Sequence, residues 1–164
     1  MRYLIDGYNL AHKITLPAGK VDPARLDAAR SELLALIAAA HGDAANTVTV
    51  VFDTKRTRRV ESEQVISGID VRFAVGEEAD DMIERLIQAH TSPKQLTVVS
   101  DDRRLQAAGR QRHCRVLGCS QYLDQLERRP LKNKVAEPEK PATGDLAEWL
   151  AAFQEDRLTR PPRQ

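Results

Sequence analysis

Aromatic residues are scarce in this chain of 164 residues, at 4%, while alanine and leucine are abundant. That balance argues against an aromatic-rich β-sandwich and for helices covering a sheet, an α/β fold. Cysteine is scarcer still. Cys114 and Cys119 are too few for a disulfide framework and lack the companions of a thiolate zinc site, so both read as small apolar side chains. Neither sign of charge prevails: 25 lysines and arginines face 24 acids, a net charge of +1, so a polyanionic partner must be argued from local clusters. No apolar run reaches the length of a membrane span, and the N-terminus lacks a basic segment leading into a long apolar stretch. A soluble, cytosolic protein is expected. The glycine motifs of nucleotide-binding enzymes, G-x-G-x-x-G and G-x-x-x-x-G-K-[ST], are missing too. His12, His41, His90 and His113 form no i, i+4 pair on one helix, and structural or surface roles are expected for each.

What is present supports one domain of ordinary size, with 41% apolar residues to fill a core. Residues 2–5 read as a short buried strand, followed by Asp-Gly-Tyr-Asn, strong turn formers. Asp22 and Pro23 mark a helix start, with Leu26, Ala29, Leu33, Ile37 and Ala40 at helical spacing and Gly42 as the stop. Thr47 to Phe52 is a second buried strand, and the basic stretch that follows, TKRTRRVESEQV, reads as a loop. Strands are expected at 69–75, 96–99 and 114–117, with helices over 79–89 and 103–111 and a last helix capped by Ser120. The alternation implies a three-layer sandwich with a mostly parallel central sheet, ending near residue 129. Residues 130–144 are rich in proline and lysine and read as a linker; 145–156, with the single tryptophan Trp149, read as a short amphipathic helix before a tail to 164.

In an open parallel sheet the functional crevice lies beyond the carboxyl ends of the strands. Asp6 ends the first strand, Asp53 the second, Asp80 and Asp81 open the helix after the third, and Asp101 and Asp102 follow the fourth. Any one of them is explained by a turn or a helix cap. Their recurrence at one sheet edge is a different matter, because converging carboxylates repel unless a cation lies between them. Mg²⁺ or Mn²⁺ suits such oxygen donors, keeps water and leaves room for a phosphate, so metal-assisted hydrolysis of a nucleic-acid backbone fits. Asn9 would orient Asp6 or a nearby water, and Gly7 would let the backbone turn tightly.

Four segments, Asp6-Gly7-Tyr8-Asn9, Val51-Phe52-Asp53, Ala79-Asp80-Asp81-Met82-Ile83-Glu84 and Val98-Val99-Ser100-Asp101-Asp102-Arg103, in this order, resemble the NYN domain, its YacP-like branch above all. The resemblance covers roughly residues 2–128. It implies a PIN-like nuclease fold and a metal-dependent endoribonuclease acting on single-stranded or loop RNA with Mg²⁺ or Mn²⁺. It implies Asp6, Asp80 and Asp102 as metal ligands, Asp53 and Asp81 as further candidates, and Asn9 and Ser100 as orienters; Asp101 fills a variable position. It leaves the ribosome open as the place of cutting and a homodimer open as the working form.

Basic residues flank these acids. Lys55, Arg56, Arg58 and Arg59 follow Asp53, and Arg103 and Arg104 follow Asp102; such side chains would hold RNA phosphates without reading sequence, although each also suits a solvated surface. Tyr8 would stack on a base or pack beneath the first helix. A phosphoacceptor domain is disfavoured because the first strand ends in a single acid, and a dehalogenase-like phosphatase because Tyr8 stands where a second aspartate is needed. The remaining rival is a non-catalytic RNA-binding or scaffold domain with the same fold.

Overall fold

The computed structural model describes residues 1–14, 22–53 and 62–129. The expected linker over 130–144, the helix over 145–156 and the basic residues Lys55, Arg56, Arg58 and Arg59 lie outside the described residues. Apolar runs in the sequence dictate the middle layer. β1 (Arg2–Asp6), β2 (Val48–Asp53), β4 (Ile69–Ala74), β5 (Leu96–Val99) and β6 (Arg115–Leu117) pair in parallel, and β3 (Glu63–Ile66) adds an antiparallel edge, in the order β3-β4-β2-β1-β5-β6. β5 is buried along its whole length, as expected of a strand covered on both faces. Ile5 sits in register with Val50 on one side and Val99 on the other, which puts β1 at the centre.

Strand alternation sorts the side chains into two cores. Tyr3, Ile5, Val50, Phe52 and Phe73 pack with Leu10 and Ala11 of α1 (Gly7–Ile14), Leu26, Leu33 and Ile37 of α2 (Pro23–His41), and Tyr122 and Leu126 of α5 (Cys119–Arg128). Leu4, Val51 and Val98 pack with Ile83 and Ile87 of α3 (Ala79–Ala89) and Leu105 of α4 (Arg103–Gln111) on the opposite face. This is the expected three-layer sandwich. Among the described residues no helix is long and apolar enough to cross a membrane.

Three local expectations need correction. Asp-Gly-Tyr-Asn is not only a turn: α1 starts at Gly7, directly after β1, because Asp6 accepts the backbone N–H of Asn9 and so caps the helix. Gly7 is needed for space rather than for a bend, since a Cβ there would overlap the Phe52 ring. The stretch read as a loop contains β3, joined to β4 by a two-residue turn. Ser67 and Gly68 both take positive φ, 52° and 83°, the twist that a tight hairpin requires. The last helix is entered at Gly118, whose N–H donates to Gln121 Oε1 at 3.0 Å, so Ser120 lies inside α5 and does not cap it. Elsewhere Asp22 and Pro23 open α2 and Gly42 ends it, as expected.

Near the start of β1 a polar group is built into the core. His41 is buried, its Nε2 3.0 Å from the Tyr122 hydroxyl and its Nδ1 3.1 Å from Arg129 Nη1. Arginine has donors only, so Nδ1 accepts and Nε2 carries the proton. Arg129 also donates to the Tyr3 hydroxyl at 2.9 Å, with its guanidinium 5.6 Å from the centre of that ring. Burial, helped by the charge of Arg129, lowers the His41 pKa to about 4.

Candidate active site

The carboxyl ends of the parallel strands open into a cleft of about 510 Å³ lined by Asp6, Asp53, Asp80, Asp101 and Asp102, with Glu78, Asn9, Tyr8, His12 and Lys13. The acids arrive from four separate pieces of sequence. Asp6 ends the central strand, between β2 and β5, where the chain's crossovers change direction. Asp53 ends β2, Asp80 stands in the first turn of α3, and Asp102 caps α4. The Asp102 Oδ1 accepts the N–H of Arg104 at 2.7 Å and of Leu105 at 3.4 Å. Its cap role and its place in the cleft coexist in one side chain.

Asp6 is the most buried acid of the group, 9% exposed. Its Oδ1 accepts the Asn9 N–H at 3.2 Å, the Asn9 side chain also bonds to it, and the Ser100 hydroxyl lies 3.5 Å from Oδ2. Ser100 Oγ in turn accepts the N–H of Asp102 at 3.0 Å, which joins the ends of β1 and β5 through one hydroxyl. Burial raises the Asp6 pKa to about 6; the bonds from Asn9 oppose the rise, and the charges of Asp80 and Asp102 add to it. Asp80 is shifted upward as well, by burial first and then by Asp102. Three carboxylates therefore sense one another across the cleft.

Asp6, Asn9, Asp53, Asp80 and Asp102 are brought together as the sequence led us to expect, with Ser100 behind them. Asp81 is not. It points away to Arg104, whose Nη2 reaches Asp81 Oδ1 at 2.7 Å and whose Nε reaches Glu84 Oε1 at 2.7 Å. That arrangement engages Arg104 with two acids, while Arg103 stays exposed on the first turn of α4. Tyr8 is buried and meets the Phe52 ring edge-on, 5.0 Å between centres, so packing beneath the first helix prevails over base stacking.

His12 and Lys13 line the cleft although neither stood out in the sequence. Once residues 7–14 are known to be helical, Asn9, His12 and Lys13 fall on one face at i, i+3 and i+4, and that spacing was the missed clue. Glu78 was overlooked because it precedes the helix that carries Asp80.

A parallel α/β sandwich with acids gathered at the carboxyl edge of its sheet is the arrangement of a PIN-like nuclease, and the chain belongs to that class through the YacP-like NYN domain family, whose profile matches residues 3–160. The match runs well past residue 128, further than the four motifs alone reach. Among solved structures the chain is similar to Rae1 (YacP) from Bacillus subtilis, with 28% identity and a TM-score of 0.65 over 97% of this chain and 95% of that one. A mutant of the same Bacillus subtilis protein aligns with 28% identity and a TM-score of 0.58, over 77% of this chain and 76% of that one. No curated protein matches the chain.

Proposed function

We propose that the chain is a divalent-cation-dependent endoribonuclease that hydrolyses phosphodiester bonds in single-stranded RNA. The observation that carries this reading is the convergence of Asp6, Asp80 and Asp102, from three separate elements, on one cleft in which each carboxylate feels its neighbours. Membership of a nuclease family points the same way.

The donor set suits a hard cation. Aspartate oxygens from Asp6, Asp53, Asp80 and Asp102 face the same space, the ligand type that Mg²⁺ and Mn²⁺ prefer. Among the described residues no three acid, histidine or cysteine side chains lie close enough to hold one ion jointly. A cation that keeps several waters and uses one or two carboxylates accommodates that spacing. When bound, it supplies Lewis acidity toward the phosphate and a water of lowered pKa.

The chain's own groups do the positioning. Asn9 holds the Asp6 carboxylate through its backbone and its amide, and Ser100 fixes the distance between the Asp6 and Asp102 segments. Lys13 and His12, on the last turn of α1, stand where they can meet a phosphate entering the acidic cleft. Arg103, exposed next to Asp102 at the start of α4, adds charge that attracts the RNA backbone whatever its sequence.

Cleavage of a labelled, unstructured RNA with Mn²⁺, Mg²⁺ or EDTA tests the reading, comparing wild type with Asp6→Asn and Asp102→Asn. Asparagine keeps a cap acceptor at both positions, so the variants remove charge and leave the helix starts in place. Divalent-dependent internal cleavage lost in both variants is expected. Cutting that survives EDTA or both substitutions would overturn it. RNA binding without cutting would favour the scaffold reading, for which the spread of the acids is the one supporting observation.

A further inference from the structure

We propose that Asp101 and Cys119 are positioning residues that lock the Asn9 carboxamide in one orientation against Asp6, an inference that rests on the nuclease function proposed above. Asp101 sits between Ser100 and Asp102, where a third cation ligand would be the simplest guess. Its oxygens are otherwise engaged. Oδ1 accepts the N–H of Cys119, the first residue of α5, at 2.8 Å, and Oδ2 faces Lys13 Nζ at the end of α1 at 3.3 Å. One carboxylate thus ties the end of β5 to the start of α5 and to α1. The pair with Lys13 is half in solvent and contributes little by itself, so the backbone bond to Cys119 is the consequential one.

That bond sets the position of the Cys119 thiol. Cys119 is fully buried, and its Sγ donates to Asn9 Oδ1 at 3.4 Å. Burial foremost, with the charges of Asp101 and Asp6 behind it, pushes the thiol up to about 12, so it keeps its proton and acts as a donor. The other end of the Asn9 side chain bonds to Asp6. A carboxamide has nearly the same shape in either of its two flipped orientations, and only its neighbours tell them apart. Here a donor stands on one side and a carboxylate on the other. Oxygen to the thiol and NH₂ to Asp6 satisfies both; the flipped amide would set its oxygen against the Asp6 carboxylate and its NH₂ against the thiol proton. Cys119 is therefore more than a small apolar filler, the role its sequence context suggested.

The test uses the full chain with Cys119→Ala, Cys119→Ser, Asp101→Ala and Asp101→Asn. Two quantities are read: kcat and KM for Mn²⁺-dependent cleavage of an unstructured RNA, and the side-chain NH₂ resonances of Asn9 in the metal-free protein. Loss of a partner that orients a metal ligand costs about 10- to 100-fold, and because these residues act one step further out, through Asn9, the lower end of about tenfold applies. Cys119→Ala and Asp101→Ala are expected to lower kcat by about that factor, to leave KM within about twofold, and to shift the Asn9 resonances. Serine at 119 restores a donor and asparagine at 101 an acceptor, so both conservative variants are expected to recover. Unmoved Asn9 resonances with unchanged kcat in Cys119→Ala would overturn the proposal. So would an Asp101→Asn variant as inactive as Asp6→Asn, which would make Asp101 a cation ligand. If wild type cuts no RNA, the nuclease reading fails on its own, and the Asn9 resonances still decide whether the brace exists.

Discussion

Arg104 holds Asp81 at 2.7 Å on the outer side of α3, while the adjacent Asp80 faces the cleft. Two neighbouring acids, alike on paper, are given different work by the direction of one helix turn. On the function proposed above, replacing Asp80 by asparagine is expected to remove most RNA cleavage, as loss of a proposed cation ligand should. Asp81→Asn is expected to stay within about threefold of wild type and to leave thermal unfolding nearly unchanged, because its ion pair is exposed. Steady-state cleavage and thermal unfolding of the two variants side by side check this; equal loss in both would return Asp81 to the site.

Asp6 burdens the metal-free fold. Its folded pKa of about 6 lies above the ordinary 3.8, so the folded state holds the proton more tightly than the unfolded one. The associated stability is present at low pH and is lost as pH rises from about 4 to 6. Asp6→Asn is therefore expected to stabilise the metal-free protein at pH 7 by roughly 1 to 3 kcal/mol, with the gain fading near pH 4. Mn²⁺ should raise the melting temperature of wild type and not of the variant. Denaturant melts at several pH values give the answer, and a destabilised Asp6→Asn would contradict it.

His41 acts with the opposite sign. Its folded pKa of about 4 lies below the ordinary 6.5, so the unfolded state takes up the proton first and stability falls as pH drops from about 6.5 to 4. The full effect is on the order of 3 kcal/mol. In wild type it runs against the Asp6 effect over nearly the same interval, and the two largely offset each other. Relative to wild type, stability is expected to fall more steeply with acid in Asp6→Asn and to rise with acid in His41→Gln, where Asp6 and the likewise raised Asp80 act unopposed. Parallel profiles for all three would show that neither group is shifted as described.

Gly7→Ala is a purely steric test. The new Cβ would press on the Phe52 ring, itself held between Tyr8 and Phe73, and overpacking of this kind costs about 1 to 3 kcal/mol. A drop in melting temperature is expected, with secondary structure retained by circular dichroism. An unchanged melting temperature would mean that the ring yields freely.

How far the sequence could be read varies with the physics of each segment. β1, β2 and β5 were plain because strands buried on both faces carry apolar runs. α2 was plain because its apolar stripe lies between a proline start and a glycine stop. α1 was hidden, since eight residues beginning with Gly-Tyr-Asn have little helical preference alone; the Asp6 cap and the burial of Leu10 and Ala11 make it a helix. β3 was hidden because an edge strand needs only half its residues covered, and its Gln64 and Ile66 are half-buried between exposed neighbours. The acids at the strand ends were legible from position alone. That Asp81 turns outward, and that Asp101 serves a backbone N–H 18 residues away, follows from tertiary contacts that no local pattern encodes.

Three helix starts meet at the cleft: α1 begins at the Asp6 carboxylate, Asp80 lies in the first turn of α3, and Asp102 caps α4. The aligned peptide dipoles of each helix place partial positive charge at its N-terminus, an effect of about 0.3 to 1 kcal/mol for a nearby anion. Together they temper the repulsion among the acids, yet they fall short of the burial cost at Asp6, whose carboxyl still titrates near 6. The backbone thus carries a standing positive field into a pocket of negative side chains. A phosphate that reaches the floor of the cleft meets peptide N–H dipoles as well as carboxylates, and the acidic lining repels it less than a count of charges implies.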